Sequence, residues 1–187
     1  MKKIILSTLF LVILASCKKE NTIVNGNTSV ADSTSVSESP GNESATLFAN
    51  EIAPENLNQY LGKDNDTLYI TNFFATWCGP CLREIPHFKN KMEELKGKPV
   101  KFTFVSVDDK SEWGTSVKEF GEKNNLTNHI VLLDGKKLDQ NFFTANFKQW
   151  DGGSIPFTYM KKGNKTDEFL GMMTEEVLNS KINSFIK

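Results

Sequence analysis

The sequence contains few of the residues from which metal sites are built, with three cysteines and two histidines among 187 residues. Structural zinc sites need four ligands, usually two cysteine pairs or one pair with added histidines. Here only Cys78 and Cys81 lie close together, and His87 and His129 are far apart in the chain. Covalent haem attachment requires a histidine directly after the second cysteine, and Leu82 occupies that position. We therefore expect no metal site and no bound cofactor.

Near the amino terminus, the apolar stretch Ile4–Ala15 is too short to cross a bilayer. Lys2 and Lys3 precede it, an arrangement typical of a secretory signal peptide over residues 1–16. The segment ends in Leu-Ala-Ser-Cys, which resembles the lipobox of bacterial lipoproteins and implies cleavage before Cys17 and acylation of that cysteine. The alternative is an ordinary leader that happens to contain a cysteine.

A large excess of charge is also absent. Removal of residues 1–16 takes away two lysines and leaves 20 basic residues against 23 acidic ones, a net charge of −3. Proteins that bind nucleic acid or an anionic membrane surface by electrostatics carry an excess of positive charge. We expect neither kind of partner, and membrane attachment by lipid instead.

Large apolar residues are scarce between Lys18 and Thr46, where serine, threonine, asparagine, glycine and glutamate dominate. Such a segment cannot bury enough surface to offset the entropy lost on ordering. We predict that residues 17–46 form a lipid-anchored flexible linker and that residues 47–187 form one globular domain.

Hydrophobic periodicity predicts alternating strands and helices in that domain. The predicted strands cover residues 67–76, 100–107, 129–133, 155–161 and 166–171, and the predicted helices cover 78–95, 111–125, 138–147 and 174–186. In the first helix, helical spacing predicts a buried face formed by Leu82, Ile85, Phe88, Met92 and Leu95. This order is typical of an α/β fold whose sheet is covered on both faces.

The motif Trp77-Cys78-Gly79-Pro80-Cys81 lies between the first strand and the first helix. A helix amino terminus stabilises a thiolate, so this pair suits a readily exchanged disulfide. A purely structural bridge over so short a loop would constrain little of the unfolded chain. The sequence therefore favours a redox-active pair, with Cys78 as the attacking thiolate and the deeper Cys81 as the resolving thiol.

The stretch Asn72–Cys81, followed by Glu84-Ile85-Pro86, resembles the thioredoxin superfamily and within it the TlpA/ResA-like extracytoplasmic thiol-disulfide oxidoreductases. Far downstream, Ile155-Pro156 resembles the cis-proline element that faces the cysteines in this family. The resemblance implies a thioredoxin-like three-layer α/β/α sandwich with a mixed central sheet. It also implies a helix and strand inserted before the cis-proline, at about residues 111–134.

Three further residues are expected to bind substrate. Pro156, if cis, orients the backbone so that Ile155 pairs with an extended substrate segment, and the alternative is a buried proline of no catalytic meaning. Trp77 is expected to form a flat surface beside the cysteines, with core packing as its alternative.

The proton carrier is the least defined part of the site. Thioredoxins carry a buried aspartate six residues before the first cysteine, where this chain has Asn72, which cannot accept a proton. Glu84 lies one helical turn after Cys81 and matches a glutamate of the ResA-like proteins. It is expected to carry the proton of Cys81 or to tune the thiol pKa values. The alternative is a solvated helix carboxylate.

These features predict a monomeric, lipid-anchored enzyme of the cell envelope that reduces protein disulfides. The resemblance implies oxidised envelope proteins and apocytochrome c as substrates, and a DsbD/CcdA-like membrane reductase as the electron donor. The alternatives are a disulfide-forming oxidant, a peroxide-reducing enzyme, and a non-catalytic copper-binding module on the same fold.

Overall fold

The apolar strand that precedes the cysteine pair lies inside a mixed sheet of six strands. In the computed structural model, which describes residues 50–186, the strands are β1 (Glu51–Ile52), β2 (Leu68–Phe74), β3 (Val100–Ser106), β4 (Ile130–Leu133), β5 (Phe157–Lys162) and β6 (Lys165–Leu170). Their spatial order is β1-β4-β3-β2-β5-β6. β1 to β4 run parallel to one another, whereas β5 pairs antiparallel with both β2 and β6, so the predicted mixed sheet is confirmed.

In the described part of the chain, five α-helices cover this sheet. They are α1 (Asn58–Leu61), α2 (Gly79–Glu94), α3 (Lys118–Asn124), α4 (Gln140–Asn146) and α5 (Glu175–Ile186). The predicted helices agree with α2 to α5 within a few residues at each end, except that residues 110–117 before α3 form a 3₁₀ turn and a π-helical turn. β1 and α1 were not predicted, because two and four residues are too few to show a hydrophobic period.

The core has two halves, one on each face of the sheet. Successive residues of a strand point to opposite faces, and accordingly Phe73 and Phe74, both fully buried, belong to different hydrophobic clusters. The Phe74 cluster includes residues of α2 and α5, and the Phe73 cluster includes residues of α1 and α4. These three layers match the predicted α/β/α sandwich.

The predicted buried face of α2 is partly wrong. Leu82 is 37% exposed, and the residues at less than 1% exposure on this helix include Cys81, Glu84 and Phe88. The inward face of α2 therefore includes Cys81, Glu84 and Phe88 and not Leu82. It carries the carboxyl group of Glu84, which hydrophobic periodicity could not assign to the core.

Within residues 50–186, none of the helices has the length and apolar character needed to cross a membrane. The predicted signal peptide, the lipidation site Cys17 and the linker up to residue 46 lie outside the described residues.

Candidate active site

Cys78 and Cys81 lie where β2 leads into α2, and they are joined in a disulfide. Cys78 directly precedes the helix, with an extended backbone (φ −83°, ψ 98°), and its Sγ accepts a hydrogen bond from the backbone N–H of Cys81 at 3.2 Å. Pro80 lies in the first turn, where its missing N–H costs no helical hydrogen bond. The positive end of the helix dipole is thus directed at the Cys78 sulfur, which favours its thiolate form after reduction.

The two cysteines differ in depth in the predicted direction. Cys78 is 5% exposed and Cys81 is fully buried. Trp77, which precedes them, is 72% exposed, so it lies on the surface beside the disulfide and not in the core. An incoming thiol or disulfide therefore reaches the sulfur of Cys78 before that of Cys81.

The loop before β5 faces the disulfide. Its Ile155–Pro156 peptide bond is cis. The carbonyl oxygen of Ile155 lies 3.7 Å from the Sγ of Cys78, and Pro156 is buried. The structure thus brings together two sequence elements that are separated by 77 residues.

An apolar groove of about 610 Å³ opens next to the disulfide. Trp77, Cys78 and Ile155 line one part of it, and the aromatic side chains of Phe143 and Trp150 line another. The Trp150 ring stacks on Phe157 with ring centroids 4.5 Å apart, so aromatic packing supports that wall.

The loop that closes this groove depends on one glycine. Gly152 has φ +85°, a conformation that favours glycine, and a Cβ atom at this position would clash with the ring of Phe143. Trp150 Nε1 donates to the backbone oxygen of Ser154 at 2.7 Å, which fixes the loop across the groove wall.

Glu84 is fully buried beneath the cysteines. Its Oε1 accepts from the Asn72 side-chain amide at 2.7 Å, and its Oε2 accepts from the backbone N–H of Met173 at 2.8 Å. Burial raises the pKa of Glu84 to about 7, and the hydrogen bonds from Met173 and Asn72 oppose that rise. The alternative of a solvated helix carboxylate is therefore wrong, and this carboxyl group can both accept and release a proton near neutral pH.

A second carboxylate, Asp108, is fully buried behind the active-site turn. It accepts from the backbone N–H of Thr76 at 3.0 Å, from the Thr76 hydroxyl at 2.6 Å and from the Ser106 hydroxyl at 2.8 Å. The backbone oxygen of Asp108 accepts from Trp113 Nε1 at 3.1 Å. Asp108 therefore fixes the residue two positions before Cys78.

The histidines do not approach the cysteine pair as ligands. His87 pairs with Glu175 of α5 at 3.9 Å, and His129 Nδ1 lies 3.3 Å from the backbone oxygen of Phe102. Among residues 50–186, histidine, cysteine, aspartate and glutamate side chains form no group of three or more that could hold a metal ion.

Sequence reasoning missed Asp108, Thr158 and the contribution of Asn72. The sequence shows Asn72 only as a position that lacks an acid, yet in the structure it is the side-chain partner of Glu84. The sequence signal for this role of Asn72 is a polar residue in an otherwise apolar buried strand, because such a residue needs a buried hydrogen-bond partner.

Comparison with known proteins agrees with this geometry. Residues 43–165 match the AhpC/TSA family. The thiol-disulfide oxidoreductase ResA of Geobacillus kaustophilus is 30% identical over 130 residues, which are 68% of this chain and 66% of that protein. ResA of Bacillus subtilis is 28% identical over 115 residues, or 60% of this chain and 58% of that protein. In both alignments the chain covers less than two thirds of the relative's length.

Two solved structures show the same fold. A thiol:disulfide interchange protein of Chlorobium tepidum superposes with a TM-score of 0.54 at 19% identity, covering 66% of this chain and 82% of that chain. The thioredoxin domain of a Bacteroides vulgatus thiol-disulfide oxidoreductase gives 0.52 at 16% identity, covering 70% and 84%. The predicted thioredoxin-like fold and the resemblance to ResA-type proteins are confirmed.

Proposed function

Because this chain belongs to the AhpC/TSA family and has a thioredoxin-like fold, we propose that it is a thiol-disulfide oxidoreductase that reduces protein disulfides of the cell envelope. One observation carries the proposal. The Cys78–Cys81 disulfide lies at the start of a 16-residue helix, with the Ile155 carbonyl of the cis-proline loop 3.7 Å from its outer sulfur.

The proposed reaction starts from the reduced pair. The Cys78 thiolate attacks one sulfur of a substrate disulfide, the substrate S–S bond breaks, and a mixed disulfide forms while the other substrate sulfur leaves as a thiolate. Cys81 then attacks the Sγ of Cys78, and the second substrate sulfur leaves. The substrate gains two electrons, and the protein ends with the Cys78–Cys81 disulfide seen in the structure.

The second step requires Cys81 to lose a proton inside the protein. Cys81 and Glu84 are both fully buried and lie one helical turn apart. With a pKa of about 7, Glu84 is ionised often enough at neutral pH to accept that proton, directly or through one water, and acidic enough to release it afterwards.

Substrate binding is assigned to the surface around Cys78. An extended segment of the substrate would pair with the backbone of Ile155, which Pro156 orients, while its apolar side chains contact Trp77 and the groove of about 610 Å³. The aromatic wall of this groove favours apolar groups next to the substrate cysteine.

The proposed location is the extracytoplasmic side of a bacterial membrane, with acylated Cys17 as the lipid anchor and residues 18–46 as the tether. Oxidised envelope proteins and apocytochrome c are the proposed substrates, and a DsbD/CcdA-like membrane reductase is the proposed electron donor. The proposed enzyme acts as a monomer.

The test is to trap the mixed disulfide in the full chain. Cys81→Ser should accumulate a long-lived mixed disulfide with a peptide that carries one internal disulfide, and mass mapping should locate it on Cys78. Cys78→Ser should accumulate little, because Cys81 is fully buried. Equal trapping by both variants, or trapping only through Cys81, would refute the assignment, and the double variant is the control for adducts at other sites.

Two further measurements separate the alternatives. A reduction potential of about −270 mV fits a reductant, whereas one of about −120 mV fits a disulfide-forming oxidant. Turnover of hydrogen peroxide faster than that of the disulfide peptide would favour the peroxide-reducing alternative.

A further inference from the structure

Asn72 has an unusual set of hydrogen bonds for a buried residue. It lies in β2 with 1% of its surface exposed. Its amide nitrogen uses both hydrogens, donating to Glu84 Oε1 at 2.7 Å and to Thr158 Oγ1 at 3.0 Å. Its amide oxygen is also buried, yet it has no hydrogen-bond partner among residues 50–186. Buried acceptors without a partner are rare because they are costly, so the two hydrogen bonds donated by the nitrogen must maintain this orientation.

The observed amide orientation favours one protonation state of Glu84. An ionised carboxylate only accepts hydrogen bonds, so it needs the nitrogen of Asn72 beside it. With the amide reversed, the oxygen of Asn72 would face the carboxylate oxygen at the 2.7 Å separation now bridged by a hydrogen bond, and the two would repel each other. The described arrangement thus favours the ionised form of Glu84.

The same amide orientation serves both protonation states of Glu84, but not equally. A neutral carboxyl group is a weaker hydrogen-bond acceptor than a carboxylate, so the bond from Asn72 favours the ionised form. Asn72 and Thr158 are directly paired across β2 and β5, so the strands hold the amide nitrogen beside Glu84.

We propose that Asn72 is a positioning residue for proton transfer, and that its amide holds Glu84 in the ionised form that accepts the proton of Cys81. This inference rests on the proposed function, because it concerns the step in which Cys81 attacks the mixed disulfide. In that step the proton of the Cys81 thiol passes to the Glu84 carboxylate, the Cys81 sulfur bonds to the Cys78 sulfur, and the substrate sulfur leaves with the electron pair. Glu84 then releases its proton to solvent.

Other charged groups around Glu84 are few. On α2, Cys81 and His87 lie one turn to either side of it, and His87 pairs with Glu175 at the start of α5 at 3.9 Å. β2 and β5 contribute the neutral side chains of Asn72 and Thr158. Among residues 50–186, the one side-chain hydrogen bond to the Glu84 carboxylate comes from Asn72, and its removal should change the titration of Glu84 directly.

The test uses Asn72→Leu, which is similar in size and removes both the donor and the acceptor. The pKa of Glu84 should rise by about 1 unit or more, because the ionised form loses a charge-assisted hydrogen bond. The 13C resonance of the Glu84 carboxyl in the oxidised full chain measures this pKa without turnover. The rate of mixed-disulfide resolution at pH 7 should fall about tenfold, and its pH profile should move upwards by the same amount.

Thr71→Val is the matched control. Thr71 is also fully buried in β2, but its hydroxyl donates to the backbone oxygen of Tyr60 at 2.8 Å, away from Glu84. This variant also loses a buried hydrogen bond, yet the Glu84 pKa and the pH profile should not move. If Asn72→Leu and Thr71→Val give the same Glu84 titration, the inference is wrong.

Asn72→Asp provides a second variant of unchanged shape if the leucine variant does not fold. Its carboxylate next to Glu84 should make the pair share one proton and titrate in two widely separated steps. A single Glu84 step at the position of the parent would also overturn the inference. Failure of the parent protein to reduce any disulfide would instead refute the proposed function, whatever the carboxyl titration shows.

Discussion

At the scale of single residues, Glu84 shows how burial decides the chemistry of a carboxyl group. Its place one turn after Cys81 can be read from the sequence. Its full burial and its partners Asn72 and Met173 depend on the packing of α2 against β2 and against the loop before α5. Because this environment disfavours the charged form, the pKa rises from 4.5 to about 7.

This shift predicts that folding stability depends on pH. The folded state holds the proton of Glu84 more tightly than the unfolded state does, so stability should fall as pH rises from 4.5 to about 7 and should not fall further for this reason above that value. The loss should be at most about 3 kcal/mol. Glu84→Gln has no proton to lose, so its stability relative to the parent should improve over the same interval.

Denaturant unfolding of the oxidised protein between pH 4.5 and 8 measures this difference. Glu93→Gln is the control, since Glu93 lies on the same helix with its side chain 79% exposed. It should follow the parent at every pH. A parent-to-Glu84→Gln difference that is constant across the interval would contradict the prediction.

At the scale of secondary-structure elements, the turn between β2 and α2 is held from behind by the residue that follows β3. Asp108 is fully buried and accepts hydrogen bonds from both the backbone and the hydroxyl of Thr76. β2 and β3 pair in parallel, so their carboxyl ends lie side by side and Asp108 reaches the turn directly. The position of Cys78 thus depends on a neighbouring strand as well as on its own helix.

Asp108→Ala should destabilise the protein by about 2–4 kcal/mol, because the N–H of Thr76 and the hydroxyl groups lose their buried acceptor. Asp109→Ala is the matched control. Asp109 is half exposed and pairs with the exposed Lys136 at 3.1 Å, so its loss should change stability by less than about 0.5 kcal/mol. Thermal or denaturant unfolding of the two variants checks this, and similar losses in both would show that Asp108 is not an anchor.

At the scale of the whole molecule, the first described residues belong to the folded domain. β1 pairs with β4 at the edge of the sheet. Leu57 is fully buried and Leu61 is 6% exposed, both in the hydrophobic cluster that contains Phe73. A truncation that removes the proposed anchor and linker should therefore leave the domain folded only if it ends before β1.

Removal of residues 1–46 should leave a folded domain that still reduces disulfides and no longer fractionates with membranes. In the full chain, Cys17→Ser should also leave the membrane fraction or fail to mature, because acylation is the proposed attachment.

Removal of residues 1–62 should lower the free energy of unfolding by about 5 kcal/mol or more, since Ile52, Leu57 and Leu61 are lost from the core. Fractionation and circular dichroism measure these outcomes, and unchanged membrane retention of Cys17→Ser would refute the lipid anchor.

The sequence by itself determined the features that depend on residues close together in the chain. The cysteine pair at the end of a strand, the α/β order of elements and the approximate bounds of α2 follow from spacing and composition, because a helical or strand period is a local property. The family match is likewise carried by short motifs and confirmed by comparison.

Only the tertiary structure decided which distant residues meet. Asn72 reaches Glu84 across 12 residues and Thr158 across 86, Met173 reaches Glu84 across 89, and Asp108 reaches Thr76 across 32. The exposure of Leu82 and the burial of Glu84 have the same origin. A carboxyl group enters a core when packing supplies its hydrogen-bond partners and excludes water, and hydrophobic periodicity along one segment contains neither condition.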